Sequence, residues 1–183
     1  MKKFKDYPEF TPNLTPGQVL KMGSFGGTYF RPIYSSVTGK NYTAKQAIKD
    51  IPKSWFKGID IEKMVTSSKY DKKVNKYGVK CGSSLESWEK SNWIVSQDPY
   101  GWFQWYCRFY KGRRTKDDER QIDRWNKLAG PNGRFRRRLM NLCIQKNKKY
   151  NDVTISPVIR QVLLHWGYEL TSKDLNQYKK SKK

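Results

Sequence analysis

The alternation of apolar and polar positions is clearest between residues 98 and 166, where it has the period of an α-helix. Four successive stretches show it, and most are bounded by Ser, Thr or Asp at the start and by Gly at the end, which are typical helix-terminating residues. The pattern predicts helices over residues 99–111, 116–129, 134–144 and 157–166. We therefore expect this segment to form the functional core of the protein.

The first of these predicted helices is the most aromatic part of the chain. Apolar residues at 102, 105, 106 and 109 follow the helical period, and Phe103 and Tyr110 widen the apolar stripe. Asp98 and Pro99 suit the N-cap and the first position of this helix. The helix should consequently be buried on most of its circumference.

Smaller elements are predicted elsewhere. Aromatic residues and prolines in residues 1–14 indicate an extended arm, and glycines with alternating apolar positions indicate an extended or β element near residues 23–42. Residues 52–82 favour short helices or a binding loop. Capping residues predict that further short helices begin after Thr15, Thr43, Ser84 and Thr171.

The fold class expected from these elements is mainly α. A chain of 183 residues has room for one domain, which we place at residues 15–175, between the arm and a basic C-terminal tail over residues 176–183.

The charge of the chain gives the strongest indication of its function. The chain has 38 Lys and Arg against 16 Asp and Glu, a formal net charge of +22 and a sequence pI of about 9.9. Ten of the eleven arginines lie between residues 98 and 166. Since arginine suits bidentate and stacking contacts, we expect an arginine-rich helical face that binds nucleic acid, DNA rather than RNA.

The residues expected to make these contacts are mostly basic and helical, with a solvated charged face as the alternative interpretation. They are Arg113, Arg114, Arg134, Arg136, Arg137, Arg138, Arg160, Lys146, Lys148 and Lys149, joined by Tyr29 and Arg31. Arginines near a helix start favour phosphate contacts through both charge and hydrogen-bond geometry. We expect replacement of residues 136–138 by alanine to weaken binding and leave the fold intact.

Tyr29 and Arg31 belong to a glycine-rich stretch over residues 23–34. Its glycines could make room for a phosphate or a flipped base, but a tight turn that leads into a strand is the favoured explanation, since glycine turns are mostly structural. Both interpretations stay open on the sequence.

Redox and targeting signals predict an intracellular protein, and the short lysine runs at its two ends could act as nuclear-localisation signals. Three widely spaced cysteines are typical of reduced protein, and neither a signal-peptide pattern nor an apolar stretch of membrane-spanning length occurs. We expect no membrane contact and no secretion, with a protein partner on exposed aromatic residues as a further option.

Metal and cofactor chemistry has little support. The cysteines and the one histidine have no zinc-ligand spacing, and phosphate-loop and dinucleotide fingerprints are missing. His165 lies in an apolar predicted helix, where a structural role competes with a catalytic one. No cofactor and no metal are expected, and whether the protein is an enzyme stays open.

One short motif resembles a catalytic one. Gln97, Asp98, Pro99 and Tyr100 are similar to the water-activating Gln-Asp-Pro-Tyr motif of uracil-DNA glycosylases. The resemblance implies Asp98 as general base and Tyr100 against the flipped base. The His-Pro-Ser motif of that family is absent, and a helix N-cap explains Asp98 without chemistry.

Residues 23–34 and 97–106 also resemble a group of uncharacterised proteins of large DNA viruses, algae and fungi. That resemblance covers most of the chain and implies an intracellular or viral setting without a mechanism. Nucleic-acid binding is therefore the leading prediction. A nucleic-acid-modifying or repair enzyme and a viral genome-packaging or capsid-associated protein are its alternatives.

Overall fold

Helices form most of the structure, a computed structural model that describes residues 2–182. Met1 of the arm and Lys183 of the tail lie outside the described residues. The helices are α1 (Pro16–Met22), α2 (Ala44–Ile48), α3 (Ile61–Met64), α4 (Leu85–Lys90), α5 (Trp102–Tyr110), α6 (Asp118–Leu128), α7 (Arg134–Gln145), α8 (Pro157–His165) and α9 (Ser172–Ser181). Short 3₁₀ turns occur at Phe25–Gly27, Lys53–Phe56 and Lys72–Val74. The predicted mainly α single domain is confirmed.

The short helices begin where the capping residues predicted. Thr15 and Thr43 each form a capping box, in which the threonine oxygen accepts a backbone N–H while a glutamine three residues later accepts from the threonine N–H. Ser84 and Thr171 cap α4 and α9 with the same kind of side-chain hydrogen bond. These local bonds satisfy donors that would otherwise be unpaired at each helix start.

The β element is a single hairpin. Strands β1 (Ile33–Ser35) and β2 (Lys40–Tyr42) pair antiparallel, with Ile33 opposite Tyr42 and Ser35 opposite Lys40. This pairing confirms the extended element predicted near residues 23–42.

Helix α5 lies at the centre of the core. Seven of its nine residues are buried, and the aromatic rings of Trp105 and Phe109 pack against Phe10 from the N-terminal arm. Phe10 also meets the ring of Trp125 in α6 at a right angle. The arm is thus held against the core by aromatic burial, which supplies a large apolar area per side chain.

The predicted start of α5 is wrong. The helix begins at Trp102, and the preceding N-cap position is Gly101 with a φ of 96°, a conformation that favours glycine. Asp98 does not cap it, because its carboxylate is buried in ion pairs with Arg108 and Arg113. Asp98 therefore pairs with arginines that are distant in sequence instead of capping the helix as the sequence indicated.

The start of α6 also differs from the prediction of a Thr115 cap. The helix begins at Asp118, whose carboxylate accepts hydrogen bonds from the Thr115 N–H at 2.8 Å and from the Trp105 indole N–H at 2.8 Å. The Asp118 carboxylate therefore closes the turn at residues 115–117 and joins it to α5, so that the helix begins after the turn. Helix α9, in turn, includes residues 176–181 of the predicted tail.

The glycine-rich stretch is enclosed by the protein itself. A Cβ atom at Gly23 would lie 2.0 Å from the Val74 carbonyl oxygen, and one at Gly27 would lie 2.0 Å from the Lys63 carbonyl oxygen. These glycines allow backbone segments to approach closely, which supports the structural interpretation of the stretch.

Candidate nucleic-acid interface

Helix α7 divides its residues between core and solvent. Leu139, Met140 and Cys143 are buried, while Arg134, Arg137 and Arg138 are exposed. Arg137 and Arg138 follow Arg134 by three and four residues, so the three side chains lie on one side of the helix. That side carries a shallow depression of about 400 Å³, lined by Arg134, Arg137, Arg138, Asn141, Leu142 and Gln145.

The three exposed arginines have no acidic partner. Within residues 2–182, no carboxylate oxygen lies within 4.0 Å of the guanidinium groups of Arg134, Arg137 or Arg138. Their hydrogen-bond donors are consequently available to an external acceptor such as a phosphate.

Helix α9 adds lysines beside α7. The Tyr178 hydroxyl donates a hydrogen bond of 2.8 Å to Asn141 Oδ1, which joins the two helices at the surface. Partial burial raises the pKa of Tyr178, but Arg137 and Lys182 outweigh it, so that the pKa is lowered overall. We define the basic face as Arg134, Arg137, Arg138, Lys179 and Lys182.

Arg136 does not belong to this face, and the expectation that it points outward is wrong. It is 8% exposed, its Nη2 lies 3.1 Å from Asp174 Oδ1, and its guanidinium lies 4.4 Å from the centre of the Tyr168 ring. Because the adjacent arginines at 137 and 138 turn to solvent, the helical rotation places Arg136 toward α9. Replacing residues 136–138 together should therefore disturb packing, contrary to the expectation that this change leaves the fold intact.

The lysines after α7 are exposed. Lys146 and Lys149 have no carboxylate within 4.0 Å in the described part of the chain, whereas Lys148 lies 3.7 Å from Asp152. They extend the positive charge beyond the C-terminal end of α7.

Arg113, one of the predicted binding residues, forms an internal ion pair instead, together with Arg108. The guanidinium of Arg113 makes a bidentate contact with Asp98, whose side chain is fully buried, and Arg108 donates to the same carboxylate at 2.9 Å. Arg108 also pairs with Asp50 at 2.9 Å. Burial lowers the pKa of Arg108, but these two acids outweigh it and raise the pKa overall. We call Asp50, Asp98, Arg108 and Arg113 the buried ion cluster after the fully buried carboxylate of Asp98, around which the other three side chains are half-buried.

Arg114 joins the N-terminal arm to α5. Its Nε lies 2.6 Å from Asp6 Oδ2, and its guanidinium lies 3.7 Å from the centre of the Phe109 ring. The contact is structural, although the residue is exposed at the surface.

Tyr29 and Arg31 are placed by hydrogen bonds rather than presented to solvent. The Tyr29 hydroxyl, which is buried, donates to the Tyr100 carbonyl at 2.6 Å and accepts from the Gln104 N–H at 3.1 Å. Arg31 is half-buried and donates to the Thr28 carbonyl at 3.1 Å. Neither side chain lies on the basic face.

The candidate catalytic residues Asp98, Tyr100 and His165 are buried and already form hydrogen bonds within the protein. Tyr100 is 2% exposed and donates its hydroxyl to the Arg31 carbonyl at 2.6 Å, and burial raises its pKa to about 12. Both oxygens of Asp98 already accept hydrogen bonds within the protein. A general base needs a free oxygen within reach of a water molecule. The observed arrangement does not offer one at Asp98.

His165 is a buried neutral histidine. Its Nε2 accepts the Phe25 N–H at 2.9 Å, and its ring stacks on the Phe25 ring with centres 4.0 Å apart. Burial lowers its pKa to about 3. In the part of the chain that the structure describes, no three His, Cys, Asp or Glu side chains come together as a metal site.

One exposed aromatic residue could not be identified from the sequence. Trp93, in the loop before α5, is 43% exposed, and the Arg124 guanidinium lies 5.4 Å from its ring centre. The same guanidinium lies 5.5 Å from the ring of Trp166. Sequence periodicity marked only helical aromatics, so a loop tryptophan carried no signal.

Comparisons with known proteins assign no role to any of these residues. No family model, curated protein or solved structure matches this chain. Its resemblances to a glycosylase motif and to viral, algal and fungal proteins therefore stay predictions. Among the described residues, no helix has both the length and the apolar character needed to cross a membrane.

Proposed function

We propose that the protein binds nucleic acid through the basic face of α7 and α9. The observation that carries this proposal is the set of three neighbouring exposed arginines without a carboxylate partner. Arginine forks match phosphate oxygens in a bidentate manner, and clustered cations gain affinity by releasing the counterions of the polymer. Lys179 and Lys182 extend the positive surface onto the next helix.

The formal charge of +22 supports the same partner. Of the arginines with acidic partners, Arg108 and Arg113 have their charge neutralised locally, and Arg136 is paired with Asp174. The remaining excess is largely external and attracts a polyanion over a distance set by salt screening. Binding of this kind is dominated by the phosphate backbone rather than by base sequence.

We propose Trp93, which lies beside Arg124 of α6, as a separate base-stacking position. An exposed indole beside a guanidinium can stack on an unpaired base, a contact worth about 1–3 kcal/mol for each base. Single-stranded nucleic acid, which exposes the faces of its bases, is the substrate that would use this residue. We do not propose base excision, because Asp98 is enclosed in the buried ion cluster.

The test is binding to labelled single-stranded and double-stranded DNA and RNA across a salt series, with heparin as the polyanion control. In the triple variant Arg134→Ala, Arg137→Ala, Arg138→Ala we expect affinity to fall roughly 10- to 100-fold. The slope of log affinity against log salt concentration should fall by about 3, since about three phosphate contacts are lost.

The matched control removes the same number of charges elsewhere. Lys40, Lys45 and Lys57 are exposed and lie in the N-terminal half of the chain, away from α7 in sequence. Their replacement by alanine should change affinity much less. Equal losses in the two triple variants, or equal affinity for heparin and nucleic acid, would refute a defined binding face.

A further inference from the structure

A cleft beside α8 contains a buried positive charge. It has a volume of about 540 Å³ and is lined by residues of five segments, around positions 13–14, 76–77, 150–153, 160 and 169–172. That volume lies within the usual range for small-molecule sites. Arg160 of α8 lies in its wall and is only 4% exposed.

The guanidinium of Arg160 has two hydrogen-bond partners in the described residues, and neither of them is acidic. Its Nε donates to the Ile155 carbonyl at 2.8 Å, and one terminal nitrogen lies 3.8 Å from Cys143 Sγ. No carboxylate of residues 2–182 lies within 4.0 Å of it. A buried charge without a counter-ion is costly, so a site that contains one favours an anionic ligand.

The acid that lines the cleft is already paired. Glu169 forms an ion pair with Lys76 and accepts a hydrogen bond of 2.9 Å from the Tyr77 hydroxyl. Burial raises the pKa of Tyr77, which keeps that hydroxyl protonated and donating. With Lys76 and Glu169 balancing each other, the charge that Arg160 brings to the cleft is uncompensated.

We propose that this cleft binds the phosphate group of a nucleotide-sized ligand. Arg160 supplies the charge, the exposed Asn151 and Ser172 supply uncharged polar groups at the rim, and the half-buried ring of Tyr150 supplies an apolar wall. Such a combination suits a phosphate attached to a sugar and base. The source is either a free nucleotide or the phosphorylated end of a strand, and only the second rests on the proposed nucleic-acid binding.

The experiment is calorimetric titration of the full chain with adenosine 5′-monophosphate, with adenosine as the uncharged comparison. A parallel arm compares an oligonucleotide carrying a 5′-phosphate with the same oligonucleotide carrying a 5′-hydroxyl. Asn151→Asp adds a negative charge to the rim and should weaken binding of the phosphorylated ligand roughly fivefold. Asn132→Asp makes the same change at an exposed turn before α7 and should leave this affinity unchanged.

Arg160→Gln should weaken binding roughly tenfold or more, since it removes the charged donor. If that variant does not fold, the pair of aspartate variants decides. Preference for the monophosphate over adenosine assigns the cleft to free nucleotides, and preference for the 5′-phosphorylated strand alone assigns it to strand ends.

The proposal is overturned if neither phosphorylated ligand binds more tightly than its unphosphorylated counterpart. It is also overturned if Asn151→Asp and Asn132→Asp bind the phosphorylated ligand equally. Failure of this proposal can be distinguished from failure of the α7 proposal. The triple alanine variant at residues 134, 137 and 138 should retain monophosphate binding, because it leaves the cleft unchanged. The Asn151→Asp variant should likewise retain salt-dependent binding of long nucleic acid.

Discussion

The buried ion cluster and the basic face are built from the same residue type and serve opposite purposes. In the cluster, Arg108 and Arg113 converge on the fully buried carboxylate of Asp98. On the face, Arg137 and Arg138 are exposed and have no carboxylate within 4.0 Å in the described residues. The difference shows that an arginine-rich sequence leaves a guanidinium without an ion-pair partner only where no acid has been folded against it.

The physical reason is desolvation. A guanidinium that leaves water needs an opposite charge and satisfied hydrogen bonds, which Asp98 and Asp50 provide for Arg108. An exposed guanidinium keeps its hydration and can exchange it for a phosphate at little cost. Removing a buried ion pair should therefore lower the free energy of unfolding. Removing an exposed arginine should instead lower the affinity for nucleic acid.

The largest effect is expected from Asp98→Ala. This substitution leaves Arg113 without a counter-ion and Arg108 with only Asp50, and should lower the free energy of unfolding by about 4 kcal/mol. Denaturant unfolding followed by circular dichroism measures it. Asp123→Ala is the matched control, since Asp123 is an exposed acid of α6 paired with Lys127 at 2.6 Å, and it should change stability little. A small change in the free energy of unfolding for both variants would contradict a structural role of the cluster.

Adjacent residues of α7 provide the next test. Arg136→Met removes the contacts with Asp174 and the Tyr168 ring and should lower the free energy of unfolding by about 2 kcal/mol. Arg137→Met should change it by less than about 0.5 kcal/mol. In nucleic-acid binding by the folded variants the order should reverse, with Arg137→Met the weaker binder. If the same variant showed the larger loss in both measurements, the division of α7 into a buried Arg136 and an exposed Arg137 would be contradicted.

A smaller effect is expected at Trp93. If its exposed indole stacks on bases, Trp93→Ala should weaken single-stranded binding roughly tenfold and duplex binding much less. Tryptophan fluorescence during titration and competition between the two strand types would measure the difference. Val37→Ala, which removes an exposed apolar side chain that lines neither proposed site, serves as the control. Equal losses for single and double strands would exclude stacking by Trp93.

The smallest effect should come from changing residue type at constant charge. Replacing Arg134, Arg137 and Arg138 by lysine keeps the phosphate attraction but loses the bidentate geometry. We expect affinity to fall less than about threefold and the salt slope to stay near its original value. A loss as large as that of the alanine variant would show that geometry, rather than charge, dominates the basic face.

Local signals were sufficient for much of the fold. The capping boxes at Thr15 and Thr43, the Pro157 start of α8 and the apolar period of α7 each depend on residues within one or two helical turns. For this reason the sequence predicted the mainly α class and most helix positions. Its arginine-rich segment also indicated the helix that carries the exposed arginines.

The sequence by itself determined the helices, the aromatic core and the excess of positive charge, because each depends on composition or short spacing. Only the tertiary structure decided which charges are free. The pairing of Asp98 with Arg113 spans fifteen residues, and that of Arg136 with Asp174 joins α7 to α9. Such long-range pairs form only when packing brings the elements together, and they outweigh local preferences because a buried charge must be compensated.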